Sequence, residues 1–162
     1  TFGVSKIAGI DERTGLSGTY QGAIAFYTRY HLNYNESMRI NSSGNVGIGT
    51  DNPDARLTVK GTIHTNEVKV DLNSPIEGPD YVFEPDYDLT SLAEVEAYIK
   101  QNKHLPEVPS AKQMAEEGLN LKEMNLLLLK KLEEVTLHLI DLKKENDRQE
   151  QEINSLKKII NK

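Results

Sequence analysis

The residue types able to do chemistry are few in this chain and mostly apart. Glu77, Asp80, Glu84, Asp86 and Asp88 form its densest run of acids. Paired carboxylates can cleave a glycosidic bond when they face each other across a cleft. These five lie on a stretch broken by Pro75, Pro79 and Pro85, which reads as a solvated loop. His31, His64, His104 and His138 stand singly, without H-x-H or H-E-x-x-H spacing. Only a threefold axis bringing copies of one of them together would make a metal site, with His64 on its strand the best placed. There is no cysteine, hence no disulfide and no thiolate ligand. No D-x-D-x-D-G calcium loop is present, and nothing gathers Ser, His and Asp near a nucleophile elbow. Asn41–Pro53, NSSGNVGIGTDNP, looks at first like a phosphate loop. Its glycine order is reversed, however, and no Gly-Lys-Ser/Thr follows. The chain therefore reads as a non-enzyme without cofactor or metal.

The glycine stretch makes better sense as a strand. Val46 and Ile48 alternate with Gly47 and Gly49, so alternation puts the branched residues on one face and leaves the other bare of side chains. Something must come very close to Gly47 and Gly49. Tyr20, Phe26, Tyr27, Tyr30 and Tyr34 cluster nearby with Arg29. They read as aromatics packed between strands, with recognition of a sugar face as the alternative.

The elements that must position these residues follow from patterning. Of the 162 residues, 37% are hydrophobic, and the net charge is -6. That balance argues against nucleic acid or an anionic membrane as the main partner, and no 18-residue apolar run suggests membrane insertion. The opening TFGVSKIAGI reads as mid-strand, so the chain is expected to be the C-terminal piece of something longer. Residues 1–75 alternate in short strands punctuated by Gly, Asn and Ser: Phe2 to Ile10, Tyr20 to Arg29, Ser37 to Asn41, Val46 to Ile48, Arg56 to Val59 and Thr62 to Val70. Residues 76–119 form a Pro-rich connector, with a short strand expected at Tyr81-Val82-Phe83. Capping boxes at Ser91 and Ser110 should open two short helices, ended at Asn102 and Gly118.

Asn120 can cap a third helix over 120–162 that nothing interrupts, about 40 residues or ~60 Å at 1.5 Å per residue. Seam positions fall at Leu121, Met124, Leu128, Leu132, Val135, Leu139, Leu142, Asn146, Gln149, Ile153, Leu156 and Ile160. Their spacing is a heptad repeat with one stutter near Leu128. From Leu132 onward, Leu132, Leu139, Asn146, Ile153 and Ile160 take position a, while Leu128, Val135, Leu142, Gln149 and Leu156 take position d. Asn146 and Gln149 make a polar layer, which costs stability and rejects other registers. Too little of the chain remains to cover so long a seam, so a homo-oligomer is expected. Ile at a with Leu at d near the end favours two strands by the parallel-dimer rule, and the upstream layers do not decide.

With these pieces in view, the chain resembles the C-terminal ends of phage and phage-like tail fibres. Met38 to Val59, MRINSSGNVGIGTDNPDARLTV, is similar to a shaft-end motif common there. Pro79–Phe83 (PDYVF), His104–Ser110 (HLPEVPS) and Met124–Ile140 resemble a Bacteroidetes tail-fibre C-terminal module, distantly similar to the endosialidase-type intramolecular chaperone. The resemblance implies an elongated α+β fold, a parallel homotrimer with a β-rich shaft end, a small α/β connector and a C-terminal coiled coil. It also implies an extracellular place on a virion, phage-like particle or cell-surface fibre. Glycines 47 and 49 of three copies would then meet near the axis. The autoproteolytic members use a Ser-Asp pair followed by Lys, and this chain has no Ser-Asp dipeptide, so the module would stay attached.

The expected function is therefore trimerisation and strand registration at a fibre tip. A receptor- or glycan-binding tip and an autoproteolytic chaperone are the alternatives. One consequence can be checked on the polar layer. Asn146→Ile should raise the stability of the associated helices while loosening their choice of register or strand number. A melting curve read together with the size distribution in solution tests both halves.

Overall fold

The computed structural model describes residues 5–12, 21–71 and 78–160. The protein is α+β, with a five-stranded mixed sheet and a 40-residue C-terminal helix. It divides into two compact units at Val68/Lys69, each described by itself.

In the first unit, β1 (Ser5–Asp11), β2 (Gly22–Tyr30), β3 (Asn33–Ile40), β4 (Val46–Ile48) and β5 (Leu57–Val59) lie side by side in chain order. The first three pairings are antiparallel, and β4 pairs with β5 in parallel. The β2–β3 turn is only His31-Leu32, with His31 at φ 56°. It lacks the Gly or Asn that usually marks such a hairpin, which explains why patterning starts β3 late, at Ser37. Between β3 and β4 the Asn41 side chain accepts from the backbone N–H groups of Ser43 and Asn45, and Gly44 takes the left-handed conformation at φ 78°.

A parallel pair ordinarily needs a crossover of a dozen or more residues. Here residues 49–56 suffice because the connection doubles back close beneath β4. A Cβ placed on Gly47 would meet the Thr50 carbonyl oxygen at 2.5 Å and Pro53 Cδ at 3.5 Å. The close approach to Gly47 is thus made by the chain's own turn. Gly49 does not share that bare face. It has left the strand at φ 71°, and its N–H donates to Ser37 O at 3.0 Å.

Across the sheet the two faces differ in kind. On one, Arg39 donates bidentately to Glu36 at 2.6 and 3.0 Å and to Glu12 at 3.1 Å. Burial opposes ionisation of Glu36, but the Arg39 hydrogen bonds prevail and hold its carboxyl below the usual range. Ala25, paired with Arg39 and Ala8, is fully buried there.

In the second unit, Pro79–Phe83 forms a 3₁₀ turn rather than the short strand expected from its branched and aromatic residues. Pro79 sets φ at the helical first position, and Val82 is driven inward to 1% exposure. Thr62 to Val70 likewise forms no strand and is exposed throughout. Its residues alternate, but it pairs with neither edge strand of the sheet. Helices α1 (Leu92–Asn102) and α2 (Ala111–Glu117) both start with complete capping boxes, from Ser91 with Glu94 and Ser110 with Gln113. Lys103 ends α1 in the left-handed conformation, and Gly118 ends α2. Helix α3 spans Leu121–Ile160, with Glu123 N–H donating to Asn120 Oδ1 at 3.5 Å.

The crossover predicts the cost of a side chain at position 47. Gly47→Val should lower stability by clearly more than about 1 kcal/mol, since a backbone oxygen rather than a mobile side chain occupies the space. Thermal denaturation of the variant should show it, and wild-type melting would mean that the crossover yields freely.

Candidate association surfaces

Helix α3 carries two opposed faces over its first half. Half-buried positions include Leu127, Lys130, Lys131, Glu133, Glu134, Leu137 and His138, which occupy heptad positions b, c, f and g. At 100° per residue their centre lies about 140° from the a/d seam. The 3₁₀ turn packs on this helix, and a polar clamp fastens the connector beside it. Tyr87 Oη donates to Glu134 Oε1 at 2.6 Å, and Lys131 Nζ donates to Glu134 Oε2 at 2.9 Å and Glu107 Oε1 at 2.6 Å. Lys130 Nζ reaches the other Glu107 oxygen at 2.6 Å.

Glu107 can present both oxygens because of the turn that carries it. Val108 N–H donates to Leu105 O at 3.2 Å, Pro106 sits at the second position and Glu107 at the third with φ 68°, as in a type II turn. Burial raises the Glu107 carboxyl, but the hydrogen bonds from Lys130 and Lys131 more than offset this and leave it below the usual range. Tyr87 is raised by burial and by its bond to Glu134.

On the opposite side the seam is open. Leu132 is 62% exposed and Ile160 80%, and Leu128, Val135, Leu139, Leu142, Ile153 and Leu156 are exposed as well. Asn146 and Gln149 are exposed in the same row, Gln149 donating to Glu145 Oε1 at 2.8 Å. Met124 differs from the rest. It is half-buried in a cleft beside Tyr98 and Val108, so the open row runs from Leu128, the position of the stutter. Beyond residue 140 the helix surface is laced with its own ion pairs, including Arg148 to Glu145 and Glu152 at 2.5 and 2.8 Å, and Lys143 to Asp147.

A second apolar surface lies on the sheet, on the face away from Arg39. Register aligns Ile7, Phe26, Met38, Ile48 and Val59 in one row across all five strands. Ile24, Ile40, Val46 and Leu57 form the next row. Ile7, Ile24, Ile48 and Leu57 are exposed, and no charged residue stands in either row. Strand alternation signals each member singly, whereas the rows emerge only once the strands are known to pair in chain order.

The other residues singled out by type do not converge. Asp80, Glu84, Asp86 and Asp88 are exposed, and Glu77 and Tyr20 lie outside the described residues. Among the described residues no group of three or more His, Asp or Glu is placed to hold a metal. His104 lies edge-on to Tyr98 at 5.6 Å. Tyr27 donates to Glu36 on the polar face at 3.2 Å, whereas Phe26 joins the apolar rows, so the aromatic cluster is split between the two faces. Arg29 lies 5.9 Å from the Tyr34 ring. Among the described residues no helix is long and apolar enough to cross a membrane. Comparison with protein-family models and with characterised proteins gives no match to this chain.

One carboxylate is poorly matched to the docked face. Glu133 Oε2 is buried without a hydrogen-bond partner, and its carboxyl is raised by that burial and then by Asp80. Ionisation of Glu133 therefore opposes docking. The folded-state pKa lies above the unfolded one, so the favourable contribution is complete below about 4.3, the free carboxylate value, and is lost as pH rises through the folded value. Glu133→Gln should accordingly melt higher than wild type at pH 7, and the gap should close on acidification. Paired melting curves across that range check the direction.

Proposed function

We propose that this chain is an oligomerisation and register module, associating as a parallel homotrimer at the tip of a fibre-like protein exposed outside the cell. The observation that carries this reading is the open heptad row of α3 on the side opposite its own connector. A 3- and 4-residue spacing of Leu, Val and Ile is matched by another helix of the same spacing. The polar layer at Asn146 and Gln149 adds to it, because a second copy in register supplies amides at the same height. The uncharged rows on the sheet support the same reading, since three copies joined by their helices hold their sheets at high effective concentration. Strand number three rests on the resemblance to tail-fibre ends, as does the setting on a virion, phage-like particle or cell-surface fibre. The seam then works by bringing three chains together once, so that the association entropy is not met separately by each apolar surface.

Mass in solution tests this directly. Three chains of 18.2 kDa give about 55 kDa, the expected value, and two give about 36 kDa. Leu132→Asp and Leu139→Asp should each shift the protein toward monomer, because a charge in an apolar layer is desolvated without a partner. Their helix content should fall with the association. A wild-type protein that stays monomeric at high concentration would remove the reading.

A further inference from the structure

The end of α1, the turn that follows it, α2 and the first turns of α3 surround a cleft of about 570 Å³, inside the range of roughly 300–1,000 Å³ usual for ligand sites. It lies wholly within the second unit. The half-buried part of its lining is apolar or aromatic. Val108, Pro109, Met124 and Leu127 contribute to it, with Tyr98 and His104 as an edge-to-face pair whose ring centres are 5.6 Å apart. The exposed part carries the carboxylates of Glu107, Glu117 and Glu123 and the amides of Gln113 and Asn120.

Charge around this cleft is one-sided. None of the described residues that line it is a lysine or arginine. Glu107 is held by Lys130 and Lys131, and Glu96 and Glu116, on the adjoining helices, each meet a lysine one turn away. Glu117 and Glu123 have no ion-pair partner among the described residues. The two amides, in turn, are only half used. Gln113 Oε1 accepts from the Ser110 N–H and hydroxyl at 2.9 and 2.8 Å, and Asn120 Oδ1 accepts from the Glu123 N–H at 3.5 Å. Each therefore keeps an NH₂ group as a donor.

We infer that this cleft is a docking site for an extended peptide segment of a partner protein, one that presents an arginine or lysine beside apolar side chains. Such a residue lays its alkyl stem on apolar surface while its charged head stays at a wet edge, here beside Glu117 and Glu123, where carboxylates give charge-assisted hydrogen bonds. The apolar neighbours of that residue cover Val108, Met124 and Leu127. The NH₂ groups of Gln113 and Asn120 suit backbone carbonyls, which a peptide offers and a free alkylamine does not. Exposure of both unpaired carboxylates points the same way, because a site for a small molecule encloses most of its ligand, whereas an open cleft lets a chain pass through. The inference goes beyond the functional reading above and does not depend on whether copies associate.

The test is a random-sequence octapeptide array probed with the full chain. Bound sequences should be enriched in arginine or lysine next to Leu, Ile, Val or Phe. The strongest of them, made in solution with a fluorescent label, should bind at least tenfold more weakly to the double variant Glu117→Gln, Glu123→Gln. It should bind as to wild type when the pair is Glu150→Gln, Glu152→Gln, which removes the same charge further along α3. All four side chains are exposed, so both variants keep the fold, and circular dichroism checks that. An array with nothing above background, or bound sequences without a cationic residue, would overturn the inference. So would binding that the cleft pair leaves unchanged, binding that both pairs weaken equally, as general attraction to an acidic chain would, or spermidine binding as tightly as the peptide. None of these outcomes bears on the functional reading, which mass in solution decides.

Discussion

The fastening of the connector to one side of α3 is the constraint on which the second unit depends. An isolated helix of this composition would offer Leu127 and Leu137 to solvent along with its seam, and nothing would distinguish its apolar sides. Val82 and the clamp among Tyr87, Glu107, Lys131 and Glu134 remove that ambiguity by covering one side. What stays open is the a/d row, already sorted by spacing. The clamp consists of charged hydrogen bonds in partial shelter from water, which makes them stronger and more directional than exposed ion pairs. Its geometry in turn rests on one left-handed residue, Glu107, held in a turn that begins with proline.

The first unit solves a similar problem by different means. Its polar face is satisfied internally, since Arg39 neutralises Glu36 and Glu12 and lies across from buried Ala25. Its other face carries two rows of large apolar side chains in which no charge stands. Small alanines on the side that the chain covers itself, and large residues on the side it leaves open, reverse the usual arrangement of a domain with its own core. In both units many large apolar side chains therefore lie exposed on the surface of the chain.

Helices were the most legible part of the sequence. Capping boxes at Ser91 and Ser110 are local chemistry, as are Gly118 and the unbroken run of helix-forming residues after Asn120, and each reappears where spacing puts it. The strands were legible as alternation, but which of them pair depends on edges that a pattern does not contain, and so Thr62 to Val70 alternates without joining the sheet. Tyr81-Val82-Phe83 misled because β propensity describes side chains on a half-buried surface, whereas Pro79 had already set the backbone into a helical turn. The two glycines were legible as positions of close approach, but not what approaches. Gly47 is crossed by its own chain, and Gly49 is needed for its dihedral angle. The clamp on α3 was invisible for a simpler reason: Glu107 and Tyr87 lie 24 and 47 residues from the partners they meet.

The order of the strands in the sheet has a bearing on how the protein is made. Every strand lies next to the one before it in the chain, so the sheet is assembled from short-range contacts, which form quickly and without help from another molecule. The first unit can then complete its sheet within a single chain. Nothing would have to be threaded. If copies associate as proposed, joining of that kind can be undone by dilution and repeated.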